Sequence, residues 1–127
     1  MATVREGKQG VLLVVDVQVG VMAEAWDADR VVANVALAVD RARAADVPVL
    51  WVQHAGDDLT PGSAEWQLAP QLTVGEGEPV IGKDHNSSFE QTALDDELAR
   101  LGATHIALAG ASTNWCIRAT AYGALER

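Results

Sequence analysis

The chain alternates between short apolar runs and longer stretches in which apolar positions recur every three or four residues. The first run, residues 11–15, is an unbroken series of valine and leucine, which is typical of a central parallel strand buried on both faces. Further runs predict strands at residues 47–52, 78–82 and 104–109, and Pro48 stands at the entrance of the second, where its missing N–H is tolerated. The pattern predicts a four-stranded sheet.

Helical periodicity fills the segments between these runs. Asp27 or Asp29 is expected to cap a helix that ends near Ala45, and Thr92 with Asp95 resembles the capping box of a second helix. The apolar stripes of the two helices are Val32, Val35 and Val39, and Leu94, Leu98 and Leu101. Strand, helix and strand in this order form a βαβ unit, which predicts a parallel sheet with a right-handed crossover.

Composition limits the classes of protein that fit. With 127 residues, 49% of them apolar and 21% charged, we expect one globular domain over residues 1–127. A net charge of −9 without a basic run argues against a nucleic-acid partner. The single cysteine excludes an internal disulfide and fits a reducing compartment, and the apolar run after residue 10 is too short for a signal or membrane segment. We therefore expect a cytoplasmic protein without membrane contact.

The longest irregular segment, residues 53–74, is predicted to be a functional or mobile loop. It begins with His54, which follows a predicted strand. A second histidine at metal-ligand spacing is missing, so a metal role for His54 has little support. A role in a substrate pocket or in hydrogen bonding, and a simple surface role, both stay open.

The chemistry centres on Cys116. It follows the predicted strand 104–109 and precedes a predicted helix over residues 117–124, and Ser112, Thr113 and Asn114 are possible caps in the turn between them. A thiol in the first turn of a helix is favoured as a thiolate, so its pKa is expected to be lowered. A lone cysteine can equally be a small buried apolar residue.

Two further reactive groups follow predicted strands. Asp16 ends the first strand and Lys83 follows the third, and the carboxyl ends of parallel strands share one edge of the sheet. A carboxylate, an amine and the thiol of Cys116 should therefore converge where α/β proteins bind ligands. This set predicts a cysteine hydrolase or transferase.

Taken together, several motifs resemble the isochorismatase-like family of cysteine hydrolases, whose relatives include nicotinamidases and carbamoylsarcosine amidases. The matching segments are residues 14–18, 83–89, 92–94, 98–102 and 110–121. They occur in the order and spacing of the family and span nearly the whole chain. The resemblance implies an α/β fold of three layers, αβα, around a central parallel sheet with Rossmann-like topology.

The resemblance also implies a catalytic triad of Asp16, Lys83 and Cys116. Asp16 would take the thiol proton, Lys83 would hold the charges in place, and Cys116 would attack a carbonyl carbon to form a thioester. The family has a cis peptide that corresponds to Ala111–Ser112 here, and the amides of Ser112 and Cys116 would form the oxyanion hole. No cofactor is implied.

The chain departs from the family in two ways. Nicotinamidases bind a metal through an aspartate and two histidines after the second strand, and residues 53–58 lack this pattern, so we expect no metal. Family members normally continue beyond the helix after the cysteine, so the chain is expected to lack the usual C-terminal strand–helix units and to be a possible truncation. The family commonly forms homo-oligomers, and the edge strand left by such a truncation favours one here.

The resulting hypothesis is a metal-free cysteine amidase that cleaves a C–N bond of a small amide, ureido or imide substrate. The alternative is a catalytically silent protein of the same fold that binds small molecules or supports assembly. A thiol redox enzyme or phosphatase is disfavoured, because a second cysteine and a Cys-x5-Arg loop are missing. Candidate substrate-binding residues are Gln18, His54, Trp66, Phe89 and Trp115.

Overall fold

The computed structural model describes residues 6–127 and contains a single four-stranded parallel sheet within them. The strands are β1 (Gly10–Val15), β2 (Val49–His54), β3 (Val80–Lys83) and β4 (His105–Gly110). Their order across the sheet is β3-β2-β1-β4, so the first strand of the chain is central. The predicted parallel sheet is confirmed.

Helices cover both faces of the sheet. They are α1 (Val19–Met22), α2 (Ala28–Ala44), α3 (Leu94–Leu101) and α4 (Arg118–Leu125), and a π-helical turn spans Thr113–Ile117. The valine stripe of α2 packs against one face of β1 and β2, while the leucine stripe of α3 packs against the other together with α4. This is the predicted three-layer αβα architecture.

The structure differs from the predictions in the starts and caps of several elements. β3 begins at Val80, because Glu78 leaves the strand and closes a turn on the amide of Gly75, with Oε1 at 2.6 Å. α3 begins at Leu94 without a capping box, and Thr92 Oγ1 accepts only the amide of Leu94. Asp27 precedes α2 as expected, but its carboxylate pairs with Arg30 and caps no backbone amide.

The edge strand β4 is less covered than the central strands. Hollows lie beside both of its faces, and neither hollow is lined by Asp16, Lys83 or Cys116. The described helices include none that is both long and apolar enough to cross a membrane.

A polar cluster ties α2 to the turn before β3. The guanidinium of Arg43 donates to both oxygens of Glu78, at 3.0 and 2.7 Å, and the same carboxylate accepts from the indole of Trp51 at 2.9 Å. The hydrogen bond from Arg43 lowers the pKa of Glu78 to about 2, and the bonds from Trp51 and Gly75 act in the same direction. The cluster thus contributes to stability as long as Glu78 is ionised.

We expect Glu78→Gln to lower the free energy of unfolding by about 1–2 kcal/mol at pH 7, because a charge-assisted hydrogen-bond pair is lost. The folded-state pKa lies below its ordinary value of 4.5, so the contribution is full above that value and declines as the pH falls toward 2. Urea unfolding at pH 7 and pH 3 measures both effects.

Glu76→Gln is the matched control, since Glu76 is exposed in the same turn. An equal loss in both variants, or a Glu78→Gln effect that does not shrink at pH 3, would contradict this assignment.

Candidate active site

The backbone conformation of Asp16 directs its side chain into the site at the edge of the sheet. It follows β1 with a φ of 57°, in the left-handed region that aspartate tolerates better than most residues, and its amide donates to the carbonyl of Val52 at 3.0 Å. The side chain is 3% exposed, and Oδ2 lies 3.0 Å from Nζ of Lys83. Oδ1 is buried without a hydrogen-bond partner among the described residues. One oxygen thus holds the lysine and the other is available as an acceptor.

The ammonium of Lys83 lies at the centre of the site. Its Nζ lies 2.8 Å from Nδ1 of His54, 2.9 Å from the carbonyl oxygen of His85, 3.0 Å from Oδ2 of Asp16 and 3.2 Å from Sγ of Cys116. The Lys83 side chain is fully buried. Because a buried charge is costly unless it is paired and hydrogen-bonded, these four acceptors are what allow an ammonium here.

Cys116 lies in the π-helical turn, and not in the first turn of an α-helix as expected. The wide turn is closed by the amide of Ile117, which donates to the carbonyl of Ser112 at 3.1 Å. π-helical turns are rare and are found frequently at functional sites. The thiol is half-buried and contacts Asn86 Oδ1 at 4.0 Å besides Lys83.

The two amides expected to form the oxyanion hole, those of Ser112 and Cys116, lie in the turn around the thiol. The Ala111–Ser112 peptide bond is cis. Within residues 6–127, the amide of Ser112 donates to no acceptor, and that of Cys116 donates to none outside the turn Thr113–Ile117. Ser112 occupies the cap position of the π-helical turn, but its side chain makes no capping hydrogen bond.

Gly110 allows β4 to approach β1 at the site. Its φ is 133°, and a Cβ at this position would lie 1.9 Å from the carbonyl oxygen of Val15. The same carbonyl accepts the amide of Ala111 at 3.0 Å. The approach fixes the turn that carries Cys116 against the residue that precedes Asp16.

The structure contradicts the expected lowering of the Cys116 pKa. Burial raises the pKa of the thiol, the nearby negative charge of Asp16 raises it further, and Lys83 opposes them only in part. Burial and the nearby carboxylate therefore outweigh what the helix start was expected to supply. The surroundings of the thiol therefore favour its protonated form.

Three residues could in principle hold a metal ion. Asp16, His54 and Cys116 each place one ligand-type atom within 4.8 Å of the other two. The ammonium of Lys83 contacts all three residues, however, so the cluster already contains a cation. The donor set therefore does not fit a divalent ion while Lys83 is charged.

The candidate substrate-binding residues are placed differently from one another. His54 lies in the site, and Trp115, next to Cys116, is 57% exposed. Trp66 is half-buried in the loop that follows β2. Gln18 and Phe89 offer a substrate no surface in this structure: Gln18 is fully buried with its amide bonded to the backbone of His54 and Trp66, and Phe89 packs in the core.

Two supporting contacts were not predicted from the sequence. Thr120 Oγ1, on α4, accepts the amide of Ser88 at 3.0 Å and donates to its hydroxyl at 2.9 Å, which ties the helix that follows Cys116 to the segment after Lys83. The carbonyl of His85 binds the ammonium. A main-chain acceptor has no sequence signal, whereas a threonine on the buried face of a helix is a weak one.

The family model described as the isochorismatase domain matches residues 10–127. The chain belongs to the isochorismatase family. Its sequence is 36% identical over 126 residues to streptothricin hydrolase of Streptomyces noursei, covering 91% of this chain and 48% of that protein. It is 31% identical over 151 residues to the ureidoacrylate amidohydrolase of Methylobacterium radiotolerans, covering 86% of this chain and 58% of that protein.

A solved structure of N-carbamoylsarcosine amidase from Thermoplasma acidophilum superposes with a TM-score of 0.84 at 25% identity, covering 94% of this chain and 78% of that one. This isochorismatase-family chain spans about half the length of the curated relatives it matches. The relatives are named as hydrolases, two of them as amidases or amidohydrolases.

We expect Gly110→Ala to lower the free energy of unfolding by more than about 2 kcal/mol, because the added methyl group would overlap the backbone of Val15 and the φ is unfavourable for alanine. Gly82→Ala in β3 is the matched control, since a Cβ there meets nothing within 4 Å. Urea unfolding of both variants measures the difference. Equal stabilities of the two variants would contradict this prediction, because they would show that β4 can move away from β1 at little cost.

We expect Asp16→Asn to lower the apparent pKa of the Cys116 thiol, because the carboxylate that disfavours the thiolate is removed, and Lys83→Met to raise it. Asparagine also tolerates the left-handed backbone of position 16. The rate of iodoacetamide alkylation against pH, read by intact mass, reports on the single thiol of the chain. The control is Asp58→Asn in an exposed loop, and shifts of the same sign in both site variants would contradict the electrostatic account.

Proposed function

We propose that the chain is a cysteine hydrolase that cleaves a C–N bond of a small amide, ureido or imide substrate through a thioester, with Asp16, Lys83 and Cys116 as its triad. The observation that carries the proposal is that one buried ammonium contacts both the carboxylate and the thiol, while the second carboxylate oxygen is left without a partner. A carboxylate with a vacant acceptor beside a protonated thiol is the pair that proton transfer requires.

The mechanism begins with transfer of the Cys116 proton to Asp16 as sulfur attacks the carbonyl carbon. Thiol and carboxylate are neighbours at rest, so the thiolate forms only as the C–S bond does. The positive charge of Lys83 favours the thiolate side of this equilibrium, as its effect on the pKa of Cys116 indicates. The negative oxygen of the tetrahedral intermediate would accept from the amides of Ser112 and Cys116.

Collapse of the intermediate breaks the C–N bond, and the leaving amine takes the proton that Asp16 had accepted. The acyl group then remains on Cys116 as a thioester. Water attacks this thioester and loses a proton to Asp16, and the acid product leaves as the thiol recovers that proton. Each proton in these steps is supplied by Cys116 or water and passes through Asp16, so the proposed cycle requires no cofactor.

The substrate class rests on the relatives and the surroundings of the thiol. The names of the relatives describe an amidohydrolase of a ureido compound and an amidase of a carbamoyl amino acid. The exposed ring of Trp115 beside Cys116 would cover one side of a small planar group. The half-buried Trp66 would complete the proposed pocket, and homo-oligomer formation, implied by the family resemblance, stays a prediction.

We expect the protein to release ammonia or amine from at least one member of a panel of N-carbamoyl amino acids, ureido acids and primary amides. Cys116→Ala should abolish turnover, and Asp16→Asn should lower kcat by about 10²–10⁴-fold because the general base is lost. Acid-quenched intact mass should show an acyl adduct on the wild type that Cys116→Ala lacks.

His105→Asn, at the opposite end of β4 from the thiol, is the matched control for turnover. Turnover that persists in Cys116→Ala would overturn the proposal. Saturable binding of panel members by the wild type without turnover would favour the alternative of a catalytically silent binding protein.

A further inference from the structure

The closest acceptor of the Lys83 ammonium is neither of its triad partners. Nζ lies 2.8 Å from Nδ1 of His54, compared with 3.0 Å from Asp16 and 3.2 Å from Cys116. The contact follows from the sheet, because His54 and Lys83 are register partners on the neighbouring strands β2 and β3. Side chains that are paired in this way leave the same face of a sheet side by side.

The contact fixes the protonation state of the histidine. An ammonium carries three donors and no acceptor, so Nδ1 must accept the hydrogen bond and must itself carry no proton. The neutral imidazole then carries its proton on Nε2. An imidazolium would place an N–H opposite the ammonium at 2.8 Å, with two like charges in contact.

The backbone of His54 is held on both sides by one buried amide. Gln18 Oε1 accepts the amide of His54 at 2.9 Å, and Gln18 Nε2 donates to the carbonyl of His54 at 3.0 Å. The Gln18 side chain is also anchored on the carbonyl of Trp66 at 2.9 Å. These bonds fix the point from which the imidazole reaches the ammonium.

We propose that His54 is a positioning residue, which as a neutral imidazole holds the ammonium of Lys83 in place between Asp16 and Cys116. Its geometry stands by itself, whereas its effect on turnover rests on the proposed cysteine hydrolase chemistry. Four acceptors compete for three N–H donors, so removal of the closest acceptor releases the ammonium from the β2 side of the site. His54 acts through Lys83 and is not required to touch the substrate.

Burial and the neighbouring Lys83 ammonium both favour the neutral form of the imidazole. Burial lowers the pKa of His54, and Lys83 and His85 lower it further, while Asp16 and Asp84 oppose them in part. The acceptor is therefore present at neutral pH and is lost as the pH falls below the ordinary range of histidine.

The first test is nuclear magnetic resonance of the protein labelled with ¹⁵N-histidine, which reads tautomer and titration without any substrate. His54 is assigned by the signal that His54→Asn removes, among three histidines in the chain. We expect the Nε2–H tautomer at pH 7 and titration below the range of the free amino acid. Lys83→Met, or Lys83→Gln if the first variant does not fold, should shift this titration upward.

The control for this test is His105→Asn, which should leave the titration of His54 unchanged, since His105 begins β4 and bonds with Thr104. A proton on Nδ1 of His54 would overturn the proposal. A His54 titration that is the same in the wild type and in a folded Lys83 variant would overturn it as well.

The second test is the rate of turnover in two variants. The Oδ1 of asparagine lies near the position of Nδ1 and still accepts, whereas leucine has no acceptor. We expect His54→Leu to lower kcat about tenfold or more with KM changed less than about threefold, because a hydrogen bond to a charged group is lost. His54→Asn should retain kcat within about threefold. Its profile of kcat against pH should lose the decline at acid pH that protonation of His54 causes.

A wild-type kcat in a folded His54→Leu variant would overturn the positioning role. Failure of the wild type to turn over any panel substrate would sink the proposed hydrolase function, while the tautomer and the Lys83-dependent titration still decide whether His54 holds the ammonium.

Discussion

The site depends on one buried cation and the acceptors that surround it. Each strand of the sheet supplies one side chain to this contact: Asp16 follows β1, His54 ends β2, Lys83 ends β3, and Cys116 follows β4. A fully buried ammonium is stable only where such acceptors converge, so its position requires all four strands to be in register. The parallel sheet therefore brings together the acceptors that stabilise a buried ammonium, and the proposed mechanism relies on that charge.

The charges of the site oppose one another at rest. Burial and Asp16 hold the thiol in its protonated form, and Lys83 favours the thiolate without prevailing. A protonated thiol is a weak nucleophile, so in the proposed mechanism the sulfur becomes reactive only once a carbonyl group is in place. Asp16 Oδ1, which has no hydrogen-bond partner among the described residues, is the acceptor that the proposed mechanism assigns to the proton of Cys116. In the proposed hydrolase, reactivity would thereby be coupled to the arrival of substrate.

Much of the fold could be predicted from the sequence, since unbroken valine and leucine runs indicate buried parallel strands and the stripes of α2 and α3 have helical spacing. The meeting of Asp16, Lys83 and Cys116 at one edge follows from the same topology. The sign of the thiol pKa shift could not be predicted, because helix position is visible in sequence whereas burial and the distance to a carboxylate are not. The His54–Lys83 contact likewise depends on strand register and rotamer, and Phe89 faces the core because Gly123 lets α4 pack against it.

The π-helical turn at Thr113–Ile117 also constrains how the sequence can vary. Such a turn holds one residue more than an α-helical turn, and each residue of an α-helix rotates the side-chain direction by about 100°. Deletion of a single residue there would restore a regular helix and swing the sulfur away from the ammonium, even if every neighbouring side chain were kept. The direction in which the thiol points is thus set by the number of residues in the turn, so we expect this segment to be intolerant of insertions or deletions.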